Sequence, residues 1–342
     1  MTRSSPRSAL VLTGAALLAC AALLTGVLVG PAGLTPGGVL LELADRLPLV
    51  DVDSGLTARQ QVILWEIRLP RVVLGAIVGA TLAIAGATYQ GVFRNPLADP
   101  YLLGVSSGAG LGATLAIVVG GAMGSGLVPP AAFAGGMIAV MATYALGRSV
   151  GGGRTEVVII LAGVAVAAFA SAIQTYFMQR NDETLRQVYS WMLGRLTTSG
   201  WSDVLTVLPY VLVTVAVVAL FRRTLDVMAV GDVEASTLGI APARVRLVLI
   251  TVATLGTSAV VAVSGLIGFV GIVIPHAVRM LIGPGHRLLL PVSLLVGAAF
   301  LMLADVVART AVSPDELPIG VVTAAIGAPF FLFVLRRSRG LI

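Results

Sequence analysis

Apolar residues in this chain neither alternate with polar ones at the two-residue period of a half-buried strand nor recur as a narrow helical stripe. They fill runs of about twenty, separated by short segments holding most of the charged residues. About twenty apolar residues are what a helix needs to cross roughly 30 Å of hydrocarbon. Ten such runs predict membrane helices at about residues 8–30, 71–91, 102–121, 128–147, 156–178, 204–221, 247–263, 267–283, 289–308 and 318–335. Lipid offers no partner to a free backbone N–H or C=O, so spans of this kind are helical. The expected fold class is an all-α polytopic membrane protein, a single transmembrane domain over residues 1–342.

Composition agrees with the pattern and removes several alternatives. Hydrophobic residues make up 57% of the 342 and charged residues 11%, against about 25% charged in soluble domains; mean hydropathy is +1.00. All 22 basic residues are arginine, so a Walker A loop, which needs a lysine, is excluded. The single Cys20 rules out an intrachain disulfide. The start, "MTRSSPRSALVLTGAALLAC", has the basic, apolar and Cys layout of a lipoprotein signal; because the apolar run continues to Gly30, a first membrane helix is expected instead.

Arginine placement orients the spans, because cytoplasmic loops retain positive charge. With the N-terminus inside, fourteen arginines and five acids fall on inner segments, eight arginines and eleven acids on outer ones. Both termini are then cytoplasmic.

Against this background residues 223–246 stand out, an inner segment between the sixth and seventh spans. Asp226, Asp232 and Glu234 alternate there with Val227, Val230, Val233 and Leu238. The spacing predicts one or two short amphipathic helices, with Asp232 favoured near a helix N-terminus, a surface able to dock on a soluble partner. Gly104, Gly108 and Gly110 lack the strand and acid of a dinucleotide loop and are read as helix-packing residues. "RNPLADP" predicts a rigid inner turn. His276 and His286 have no second ligand at a metal-binding spacing. Gly86 to Pro96 and Gly265 to Pro275 echo each other weakly, as inverted repeats of transporters can.

"RLPR", "GATYQGVFRNPLADPYLLGVSSGA", "LAGVA", "VGDVEASTLGI", "GFVGIVIPHAVR", "LADVVAR" and "ELPIGVVTAAIGAPFFLFVLRR" follow one another from Arg68 to Arg337. Together they resemble the permease subunit of type II ABC importers, the family that takes up ferric siderophores, haem and vitamin B12. The resemblance implies a bacterial inner-membrane, multi-pass subunit with ten helices. It would pair, within the lipid membrane, with a second permease (an identical copy or a paralogue), the translocation path lying at their interface, served by a cytoplasmic ATPase dimer and an external substrate-binding protein. It implies no nucleic acid, and no metal or cofactor in this chain, ATP and Mg being held by the ATPase. Coupling to the ATPase falls on Val230, Gly231, Asp232, Glu234, Ala235, Leu238 and Gly239. Docking of the binding protein falls on Arg68, Arg71 and Arg309, whose forks suit carboxylates, and a cytoplasmic gate on Asn95, Leu97, Thr155 and Glu156. The expected cargo is a bulky metal chelate, ferric siderophore first, with cobalamin or haem as alternatives. A proton- or sodium-driven transporter is the rival reading; its best carboxylate, Asp305, is expected to pair locally with Arg309.

Overall fold

The computed structural model describes residues 6–31, 33–46, 52–120, 126–150, 155–179, 182–197 and 200–338, and among them every regular element is helical. Ten helices occupy the ten predicted spans. Seven are long and apolar enough to cross a membrane. Among these, α1 (Pro6–Leu28) runs unbroken through Cys20.

Two short helices that hydrophobic runs do not reveal come next, α2 (Pro36–Asp45) and α3 (Ala58–Val62). A π-helical turn over Ile63–Arg68 joins α3 to α4 (Leu69–Val92). Helix α4 is buried along almost its whole length and forms the axis of the bundle. Next come α5 (Val105–Gly120), α6 (Val128–Val150) and α7 (Thr155–Met178), which pack on one another. The short outer α8 (Asp182–Met192) leads to α9 (Trp201–Leu220). The predicted amphipathic insert is a pair of short helices, α10 (Arg222–Met228) and α11 (Asp232–Thr237). The chain then closes with α12 (Pro242–Ser264), α13 (Val270–Ile282), α14 (His286–Thr310) and α15 (Ile319–Ser338).

Lipid gives apolar side chains no reason to leave it, so the bundle is held by close backbone approach at small residues. A Cβ added at Gly79 would lie 2.2 Å from the Gly297 carbonyl oxygen of α14, and one at Gly86 1.9 Å from that of Gly271 in α13. The two echoing segments noticed in the sequence therefore meet directly, at Gly86 and Gly271.

Two predicted boundaries move. The seventh span begins at Pro242 rather than 247, because proline is at home in a first helical turn; Arg244 and Arg246 thus belong to α12 rather than to a loop. The eighth span shortens to the thirteen residues of α13, because Gly265 to Phe269 are not helical and Phe269 holds φ at +70°. Irregular backbone at this depth is tolerated where protein satisfies it. Here the Tyr101 hydroxyl donates to the Ile267 carbonyl at 3.1 Å and accepts from its N–H at 3.2 Å.

Candidate functional site

The acids of the insert have separate jobs. From α10, the Asp226 carboxylate accepts both the backbone N–H of His286 (2.8 Å) and its ring Nδ1 (2.7 Å). It thereby caps the N-terminus of α14, four of whose N–H groups lack helical partners. The His286 ring is buried, with Nε2 turned toward Gly91 near the end of α4. Asp232, the first residue of α11, accepts from Arg246 of α12 at 3.1 and 3.2 Å, and Arg94 approaches it to 3.8 Å. Arg94 follows α4 with φ at +47° and immediately precedes the Asn95 turn. The insert is thus fastened to α4, α12 and α14 through two carboxylates.

Leu225, Met228 and Ala235 of the insert point into the bundle, while Val230, Val233 and Leu238 are about 70% exposed or more. Gly231, at φ +153°, and Gly239, at φ +79°, bracket α11, and a side chain at 231 would collide with the Glu234 carboxylate. Two of the three acids are thus bonded to the bundle while both valines and Leu238 are left exposed. The seven residues expected to couple to an ATPase are therefore brought together on one compact projection.

Of the expected gate residues, Asn95 accepts from the Leu97 N–H at 2.9 Å, closing a tight turn, and both are part-buried. The predicted rigidity of "RNPLADP" is realised by this bond, by Asn95 N–H to the Gln90 carbonyl (3.2 Å) and by Ala98 N–H to the Asn95 carbonyl (3.0 Å). Thr155 and Glu156 open α7 at the same end; their side chains lie outside the described positions.

Of the arginines expected to dock a binding protein, Arg68 and Arg309 are buried and Arg71 is tied to two carboxylates. Arg68 is 4% exposed and donates to the Val27 carbonyl at 3.0 Å; Arg309 is 3% exposed and donates to the Gly26 carbonyl at 2.5 Å. Both guanidinium groups neutralise the C-terminal carbonyls of α1, where a positive charge is favoured, and both are buried. Arg71 bonds Asp305 through Nε (3.0 Å) and Nη2 (2.9 Å), and Glu316 through Nη1 and Nη2 (2.9 Å each). Asp305 accordingly has Arg71 as its hydrogen-bond partner, with Arg309 Nε 3.3 Å from the other oxygen, rather than the purely local pair expected. Hydrogen bonds from Arg71 hold the Glu316 carboxyl below its ordinary range.

A second outer cluster escaped the sequence. Glu42 of α2 is buried and accepts from Ser54 Oγ (2.7 Å), Gln61 Nε2 (2.9 Å) and Trp65 Nε1 (3.1 Å). The Ser54 bond above all holds its carboxyl below the usual value, and Arg46 lies over the Trp65 ring, 5.0 Å from its centre. These groups pin the outer segment to the π-helical turn before α4. Among the described residues no three His, Cys, Asp or Glu side chains converge as metal ligands would.

Comparison with known proteins agrees over nearly the full length. Residues 16–337 match the FecCD transport family. A cobalamin import system permease protein of Halobacterium salinarum is 46% identical over 296 residues, 86% of this chain and 78% of its own. An Fe(3+)-citrate import system permease protein of Bacillus subtilis is 38% identical over 308 residues, 90% and 91% of the two chains. A solved structure described as a metal-chelate type ABC transporter in an inward-facing conformation superposes with a TM-score of 0.80 at 31% identity, covering 96% of this chain and 99% of that one.

Proposed function

Since this chain belongs to the FecCD transport family, we propose that it is the permease subunit of an ATP-driven importer of a bulky metal chelate, working in the bacterial inner membrane with both termini in the cytoplasm. The observation that carries the coupling part is the projection formed by α10 and α11. Exposed Val230, Val233 and Leu238 form an apolar contact, and Asp226 and Asp232 carry any displacement of it to α14, α12 and the end of α4. The occupant is a cytoplasmic ATPase dimer, which binds ATP and Mg; this chain binds neither. Movement of Arg94 moves the Asn95–Leu97 turn next to it, the cytoplasmic gate, to which the start of α7 at Thr155 and Glu156 contributes. A second permease, either a copy or a paralogue, completes the path.

An external binding protein delivers the cargo. Burial of Arg68 and Arg309 assigns them to holding α1. The outer surface left for docking is the rim around Arg71 and Glu316, the latter with 41% of its side chain exposed. A ferric chelate of the siderophore or citrate kind is the proposed cargo; the 46% identical relative makes cobalamin the second reading.

Uptake of radiolabelled iron as ferric chelates, with labelled cobalamin in parallel, tests this in cells with and without the gene. Iron uptake restored by the gene, and lost in Val233→Asp together with co-purification of the ATPase, is the expected result. Uptake and ATPase association unaffected by Val233→Asp would remove the coupling assignment, and restored cobalamin uptake alone would transfer the protein to the second reading.

A further inference from the structure

Between α8, the 193–197 segment, the outer end of α14 and the start of α15 lies a cavity of about 520 Å³, within the size range of small-molecule sites. Its wall is firmly set. Val188 and Trp191 bury one face of α8, and three backbone bonds pin the following segment: Gly194 N–H to Trp191 (3.2 Å), Arg195 N–H to Ser264 (2.8 Å) and Gly320 N–H to Leu193 (3.0 Å).

Among the described residues the charges in this cavity do not balance. Asp305 and Glu316 line it but are answered by Arg71 and, behind the wall, by Arg309. Arg186 and Arg195 also line it, and both are exposed. Among the described residues no acid pairs with either. Tyr189, Ser190 and Thr197 add hydroxyl groups to the same wall. Two planar cations and three hydroxyls around a small concavity suit a compact ligand that carries several carboxylates, each able to take a guanidinium fork in two hydrogen bonds. A neutral macrocycle would leave both arginines unanswered.

Resting on the permease reading above, we propose that this cavity is an entry subsite for anionic, carboxylate-bearing metal chelates, with Arg186 and Arg195 as its specificity-determining residues. Exposed at the cavity, their charges draw in an anionic cargo as the binding protein releases it. This assigns the protein to hydroxycarboxylate-type iron chelates ahead of corrinoids.

The test is equilibrium dialysis of the purified permease in lipid nanodiscs against labelled ferric citrate and, separately, labelled cyanocobalamin. Ferric citrate retained by the wild type, weakened at least tenfold in R186A/R195A, partly recovered in R186K/R195K and unchanged in the exposed outer control R59A is the expected result. Cyanocobalamin retention, at whatever level the wild type shows, should not respond to the arginine variants. Ferric citrate binding equal in wild type and R186A/R195A, absent from the wild type at millimolar concentration, or lost equally in R59A would overturn the proposal. If labelled citrate instead reaches the permease only with the binding protein present, and R186A/R195A weakens that protein's own affinity, the arginines are a docking surface and the subsite is refuted. Because the measurement needs no ATPase, it stands apart from the coupling test: Val233→Asp should abolish uptake while leaving ferric citrate retention intact.

Discussion

Adding one methyl group at Gly86 tests how the bundle is held. The Cβ of Gly86→Ala would stand 1.9 Å from the Gly271 carbonyl oxygen, 2.5 Å from its carbonyl carbon and 2.6 Å from its Cα. These are backbone atoms of a neighbouring helix, so no side chain can rotate away. Restoring a separation of about 3.5 Å requires α4 and α13 to part by roughly 1.5 Å, and a gap of 0.5–1 Å already forfeits about a quarter to a half of each contact. The same movement stretches the bonds from Gln90 Nε2 to the Gly271 and Ile272 carbonyls, both 3.3 Å. Overpacking of this kind costs about 1–3 kcal/mol and a weakened hydrogen bond about 0.5–1.5 kcal/mol. The expected destabilisation is therefore about 3 kcal/mol. Gly14→Ala is the matched control, since its Cβ meets nothing within 4 Å. Reversible unfolding in mixed micelles, followed by tryptophan fluorescence, compares the two. Gly86→Ala within about 0.5 kcal/mol of Gly14→Ala, the range of substitutions that touch nothing, would refute the close-packing argument.

Two further substitutions probe the ends of the bundle. Asp226→Ala removes the cap on α14 and leaves the His286 N–H without its acceptor, which should cost about 2 kcal/mol and lower the uptake achieved per ATP hydrolysed; Asp226→Asn, still an acceptor, should recover most of both. Coupled uptake undiminished in Asp226→Ala would show that the tether carries no displacement. At the outer end, the folded pKa of Glu42 lies below its unfolded value of about 4.3. Its contribution to stability is complete above that value and lost as pH falls through the lower, folded one. Wild type should therefore lose stability over Glu42→Gln more steeply below about pH 4.3 than above it, and parallel pH curves for the two would remove this role.

The sequence revealed most where physics acts along the chain and least where it acts across space. Ten apolar runs became ten helices because membrane thickness sets one length scale. The insert was recognised because its polarity breaks the surroundings, and Asp232 does begin a helix as its charge favours. By contrast, α2, α3 and α8 are too short and too polar for a hydropathy reading. The bond between Asp226 and His286 joins residues 60 positions apart, and Arg71 and Asp305 are 234 apart. No local spacing announces such pairs. The arginines belong to the same class: the resemblance implied a docking role for Arg68 and Arg309, and no local spacing showed that the end of α1 takes both charges.

That distinction also bears on how force could cross the molecule. In a soluble loop, exposed positions carry charge and buried ones are apolar. The α10–α11 segment spends its Asp226 and Asp232 carboxylates on its own bundle and presents Val230, Val233 and Leu238 outward, at the expense of solubility. An arrangement that only closed a loop would gain nothing from leaving these three apolar side chains exposed. A lever would gain at both ends: an apolar face grips a partner without requiring one charge register, while charge-assisted bonds to α12 and α14, with Arg94 beside Asp232, keep the inner attachment directional. Burying the inner partners His286 and Arg246 shields those bonds from the salt that weakens exposed ion pairs. Displacement of α11 should therefore reach α4, α12 and α14 together, with the Asn95 turn following from Arg94.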